Sequence, residues 1–198
     1  ILGCAGNRIS SLDAGSLSEL TSLDCSSNNL TQLNITGCMN LSSLNCYNNL
    51  LQNLDVQTCA GLTYLNCENN KLTSLTVGHL TQLTELYCSN NIDDENGIRT
   101  LDLSGCPELQ HLDCSENHLE NLNVSGLSKL GSLSCSSNAL DDLNLSGCSA
   151  LSVLDCGHNR LTSLNLQDCS GLMTLDCEYN NISVLDLQYC SELMSISC

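Results

Sequence analysis

Residues 20–40 read LTSLDCSSNNLTQLNITGCMN. Leu20, Leu23, Cys25, Leu30, Leu33, Ile35 and Cys38 are apolar, and nearly everything between them is Ser, Thr, Asn or Asp. Around LDC, and again around LNI, apolar and polar residues alternate, the period of a short strand with one buried face. Cys25 stands where the alternation predicts another leucine, and Cys38 closes the stretch. Whether these thiols are chemistry, a disulfide staple or packing decides what kind of protein this is.

The stretch is one copy of a repeat. Leucine recurs at Leu20, Leu41, Leu62 and Leu83, and again at Leu109, Leu130, Leu151, Leu172 and Leu193, at a spacing of 21 residues. The step from Leu83 to Leu109 is 26, so five residues are inserted, near 92–97. Aligned, the units read LxxLxCxxNxLxxLxLxxCxx. A strand-side cysteine recurs from Cys4 through Cys25, Cys46, Cys67, Cys88, Cys114, Cys135, Cys156 and Cys177 to Cys198. An asparagine follows three residues later at Asn7, Asn28, Asn49, Asn70, Asn91, Asn117, Asn138, Asn159 and Asn180. A period of this length predicts a solenoid, each turn one unit whose apolar side is covered by its neighbours. Its LxC segments stack as a parallel sheet at about 4.8 Å per turn, giving a rod of roughly 43 Å. The asparagine falls where the chain leaves the strand, and its amide suits the backbone groups that this turn exposes. A 21-residue turn leaves little room for an α-helix, so the return segments are expected to be extended or short strands.

The motif LxxLxCxxNxL resembles the highly specific segment of the leucine-rich repeat family. The repeat length and return segments such as LTSLNL at 161–166 are similar to a short-repeat variety of it sometimes called IRREKO. The resemblance covers essentially all 198 residues. It implies a single domain over 1–198 of about nine repeats, coiled right-handedly, with the parallel sheet on the concave face and little helix. It also implies a role in binding proteins or glycans. No terminal caps are evident, which leads to an expectation of self-association through uncapped ends, stacked head-to-tail into a filament or adhesin segment.

The sixteen cysteines fall into two columns, ten on the strand side and six at Cys38, Cys59, Cys106, Cys148, Cys169 and Cys190. In the second column Leu17, Leu80 and Leu127 take the place of cysteine. Leucine replaces a buried thiol but neither a ligand nor half of a disulfide, so packing is the favoured reading. Disulfides up the stack stay open, although in-register Cβ atoms near 4.8 Å exceed the preferred separation of about 3.8 Å. Metal binding is weaker, because no C-x-x-C occurs and the thiols are spread along a rod.

Composition removes whole classes of function. Lys and Arg number 5 against 22 Asp and Glu, a net charge of -17. Nucleic acid and anionic membrane surfaces both require clustered cations. No apolar run approaches the roughly 18 residues of a membrane helix, so membrane insertion is not expected. The four histidines, His79, His111, His118 and His158, occupy different repeat positions and do not assemble a catalytic group. No phosphate loop is present and no motif calls for a cofactor or a metal. The sequence therefore reads as a non-enzymatic recognition module presenting an acidic surface to a protein or glycan partner. Such a module suits a section of a larger secreted or cell-surface protein.

Two polar columns run outward. One holds Asp24, Asn45, Asn66, Asp113, Asp155 and Asp176, and the other Asp13, Asn34, Asp55, Asp102, Asn123, Asn144, Asn165 and Asp186. Amides hydrogen-bonding up the stack is the plain reading, and weak divalent-cation binding between carboxylates the sharper one. The best local site lies on the early-middle turns. Tyr64, Glu85 and Tyr87 face outward on the strands, with His111 on the next turn, and Tyr47 and Glu68 just past them. The inserted Asp93, Asp94 and Glu95 are expected nearby. Tyrosine offers apolar area with a polar tip, which suits a binding surface, against the alternative that an exposed face simply varies.

Overall fold

The computed structural model describes residues 1–92 and 97–198, and among these there is no helix. Ten strands form one parallel sheet: β1 (Leu2–Gly3), β3 (Ser22–Asp24), β5 (Ser43–Asn45), β6 (Tyr64–Asn66), β7 (Glu85–Tyr87), β8 (His111–Asp113), β9 (Ser132–Ser134), β10 (Val153–Asp155), β11 (Thr174–Asp176) and β12 (Ser195–Ser197). Each strand but the two at the ends, β1 and β12, pairs with the strand one turn before and one turn after it, in the register of the repeat: Leu23 opposes Leu44, and Leu44 opposes Leu65. The insertion does not disturb that register. Glu85 opposes His111, an offset of 26, and the extra residues are taken up between Asn91 and Ile98.

Each strand is only three residues long because its central leucine is the one inward residue between two outward ones. Leu44, Leu65, Leu86, Leu133 and Leu154 have no exposed surface. The cysteine falls one residue past the strand, and its N–H extends the ladder, as where Cys25 N donates to Asn45 O at 2.9 Å. The next turn is made by a residue in the left-handed region directly before the ladder asparagine. Ser27, Asn48, Asn69, Asn90, Glu116, Ser137, His158 and Tyr179 all have φ between 50° and 55°. Ser and Asn suit this conformation better than the bulkier side chains do.

The return side is mostly extended without regular pairing. Only β2 (Ser11–Asp13) and β4 (Gln32–Asn34) form a second, two-stranded sheet, and Asn123 bridges Asn144. Seven apolar positions per turn point inward; in one turn they are Leu41, Leu44, Cys46, Leu51, Leu54, Val56 and Cys59. Full burial of one such leucine contributes about 2 kcal/mol. With no Phe or Trp to fill an irregular space, a core of uniform aliphatic layers fits a stack of equal turns.

Candidate functional site

Both cysteine columns lie inside the stack except at its ends, where Cys4 is half-buried and Cys198 exposed, and all sixteen thiols are free. The strand-side thiols point toward a carbonyl of the following turn, Cys46 Sγ lying 3.4 Å from Asn66 O and Cys156 Sγ 3.4 Å from Asp176 O. Return-side thiols point the other way, Cys38 to Ala14 O at 3.3 Å and Cys148 to Val124 O at 3.2 Å. Burial pushes Cys25 up to about 12 and holds Cys46, Cys67, Cys114 and Cys135 well above the ordinary thiol range. A thiol kept protonated is neither a nucleophile nor a metal ligand. Of the leucines in the second column, Leu80 and Leu127 are buried, whereas Leu17 is 42% exposed, having a turn on one side only.

The asparagines form an internal ladder. In each of Asn28, Asn49, Asn70, Asn91, Asn117, Asn138, Asn159 and Asn180, Nδ2 donates to the cysteine carbonyl of its own turn and to that of the preceding turn. Oδ1 accepts the backbone N–H of a residue on the preceding turn, Leu30 for Asn49 and Leu72 for Asn91. The side chain thus satisfies backbone groups on two turns at once.

The outward polar columns behave differently from the expectation of amides bonding up the stack. On the return side all eight Asp and Asn residues accept the N–H of the residue two positions on, within their own turn. Asn34, which donates to Asp13 at 2.8 Å, also bonds across. The short side chain reaches its own turn's N–H more easily than the next turn, so it caps the corner. Among the described residues no three His, Cys, Asp or Glu side chains gather as a metal site.

On the open face of the sheet the structure brings six of the singled-out residues into a compact grid. Tyr64, Glu85 and His111 share one column on β6, β7 and β8. Asn66, Tyr87 and Asp113 share the next, two residues along each strand and therefore on the same face. Past the strand ends Tyr47, Glu68 and Ser89 follow in a third, since Asn48 N bonds Glu68 O and Asn69 N bonds Ser89 O. Tyr87 is at the centre. Its ring lies 5.8 Å from that of Tyr64 at an angle of 49°, and its hydroxyl donates to Glu85 Oε2 at 3.1 Å. Burial, then the bond to Glu85, pushes its phenol up to about 12. Glu68 is held from both sides, by Asn66 Nδ2 at 2.9 Å and Ser89 Oγ at 2.6 Å. Asp93, Asp94 and Glu95 lie outside the described residues.

The histidines stay apart, as their repeat positions require. His79 is on a return turn, its Nε2 3.3 Å from Val56 O, and the ring of His118 lies against Gly97. His158 stacks on Tyr179, with ring centroids 4.3 Å apart and planes at 15°. That pair was missed in the sequence. The signal was present, because both residues directly precede a ladder asparagine and are one repeat apart.

Stacked turns, a parallel sheet along one side and an internal asparagine ladder together define a parallel β-solenoid repeat protein. The family model for the Leucine Rich Repeat matches residues 19–41 and 108–130. The functional domain of InlJ from Listeria monocytogenes, a structure described as including a cysteine ladder, superposes with a TM-score of 0.95 at 40% identity. That match covers 100% of this chain and 43% of that one. The LRR protein LIC12759 of Leptospira interrogans follows with a TM-score of 0.79 and 27% identity, over 93% of this chain and 50% of its own. The LRR ectodomain of the plant receptor kinase GASSHO1/SCHENGEN3 from Arabidopsis thaliana, in complex with CASPARIAN STRIP INTEGRITY FACTOR 2, shares the fold at 23% identity and a TM-score of 0.71. It is covered over 29% of its length, against 98% of this chain. The present chain thus spans half or less of these structures. No curated protein matches it in sequence. The chain belongs to the leucine-rich repeat family, in a form whose repeats carry cysteine.

Proposed function

We propose that this solenoid is a non-enzymatic recognition module that presents the outward face of its sheet to a protein or glycan partner. The observation that carries the reading is the grid around Tyr87. Three tyrosines and two glutamates lie on adjacent turns of an otherwise small and polar surface, with Tyr87, Glu85 and Glu68 held in place by hydrogen bonds. Side chains already fixed lose less freedom on binding, so such a patch favours association. The separation of the histidines and the protonated thiols speak for binding rather than catalysis. The fold serves binding in the plant receptor ectodomain, which is in complex with CASPARIAN STRIP INTEGRITY FACTOR 2.

The test is capture of partners from the native environment on immobilised chain, in parallel with the double variant Tyr64→Ala, Tyr87→Ala. The expected result is a partner retained by the parent and lost by the variant, with the thermal midpoints of the two proteins close together. Equal capture by both proteins would move the binding surface elsewhere.

A further inference from the structure

The grid on β6, β7 and β8 combines two kinds of group that usually occur apart: tilted aromatic faces and fixed carboxylates. Tyr64 and Tyr87 present their rings 5.8 Å apart, and Glu85 is anchored at the edge of this pair by the Tyr87 hydroxyl. On the far side of Tyr87, Glu68 is clamped by Asn66 and Ser89, and Asp113 neighbours Tyr87 in the strand register. The central ring is therefore flanked by carboxylates in all three columns of the grid. Around it the chain carries 22 acidic residues against 5 basic ones.

We propose that this grid is a seat for the guanidinium or ammonium group of a basic side chain, presented by an extended, positively charged segment of a protein partner. The assignment rests on reading the sheet face as the recognition surface. A cation over a tyrosine ring is attracted by the ring's quadrupole, and a carboxylate at the ring's edge adds a charge-assisted hydrogen bond. Arginine fits best, because its planar group stacks on one ring while its N–H groups reach a carboxylate in the same plane. A neutral saccharide would also stack on the tyrosines but would leave the carboxylates without a counter-charge. The excess of negative charge draws a basic segment to this surface and repels an acidic one.

The experiment follows the ring resonances of isotope-labelled tyrosines in the full chain, assigned through single Tyr→Phe variants. The probe is a peptide of alternating glycine and arginine, compared with the same peptide carrying citrulline, which keeps the shape and loses the charge. Saturable shifts at Tyr64 and Tyr87, with Tyr179 and Tyr189 unmoved, are expected for the arginine peptide alone. In Glu85→Gln with Glu68→Gln the affinity should fall by about five-fold or more. Equal shifts with the citrulline peptide, shifts as large at Tyr179 as at Tyr87, or a response to a neutral oligosaccharide only, would each overturn the assignment. Failure here is distinguishable from failure of the wider reading. If partner capture is lost in Tyr64→Ala, Tyr87→Ala while the arginine peptide has no effect, the face stands and the cation seat does not.

Discussion

The side-chain amide of Asn70 donates to the carbonyl oxygen of Cys46, one turn earlier, at 3.0 Å, and its Oδ1 accepts the N–H of Leu51 at 3.0 Å. One residue thereby closes the corner of its own turn and fastens it to the turn before. Deleting such a side chain strands buried backbone groups on both turns, at a cost of about 1–3 kcal/mol for each group that water cannot reach.

Asn91 has no exposed surface and bonds four backbone groups in this way, at 2.9–3.2 Å. Asn91→Ala should therefore lower the stability by about 3 kcal/mol or more. The same change at Asn7, which is exposed and bonds only carbonyls of its own turn, should cost much less. Urea denaturation of the two variants checks this, and equal losses would contradict the ladder's role.

The thiols predict an alkaline limit to stability. In the unfolded chain they ionise near pH 9, while burial holds Cys25 protonated up to about 12. The folded state then binds more protons than the unfolded state, so stability is fully present below about pH 9 and is lost as pH rises toward 12. Each such thiol contributes up to about 1.4 kcal/mol per pH unit. Denaturation midpoints should fall steeply above pH 9, and Cys25→Ala should make the slope shallower. An unchanged slope in that variant would mean that Cys25 ionises as freely in the fold as outside it.

At one return-side corner the backbones of two turns approach closely across glycines. A Cβ on Gly105 would collide with the carbonyl oxygen of Gly78, whereas one on Gly61 would find its nearest atom 3.9 Å away, Leu41 O. Gly105→Ala should destabilise by about 1–3 kcal/mol, because backbone rather than a flexible side chain must move. Gly61→Ala serves as the control and should be nearly neutral. Thermal midpoints of both variants decide the matter.

Glu116 holds φ 51° at a corner where five other turns place Asn or Ser. Left-handed backbone costs most side chains about 1–2 kcal/mol, and asparagine tolerates it better. Glu116→Asn should raise the thermal midpoint, by a stabilisation of about 0.5 kcal/mol or more. A lowered midpoint would show that Glu116 has a compensating contact.

Much of this was legible in residues 20–40. Alternation around LDC gave the strand and its inward leucine, and the spacing of 21 gave both the stack and the in-register pairing of Leu23 with Leu44. Substitution of Leu80 and Leu127 for cysteine marked that column as packing. The corners were harder. Short Asp and Asn side chains were expected to bond from turn to turn, but on the return side they cap their own turn, a choice set by local backbone geometry that spacing does not encode.

What the sequence determined by itself was the period, and with it the solenoid, its two buried cysteine columns and its asparagine column, because every turn solves the same burial problem with the same residues. What only the tertiary structure decided was how non-repeating side chains meet across turns. Tyr64 and Tyr87 are 23 residues apart, and His158 and Tyr179 are 21 apart. Their rings approach because strand register brings those positions together, and their tilts of 49° and 15° follow from side-chain torsions that the repeat leaves free.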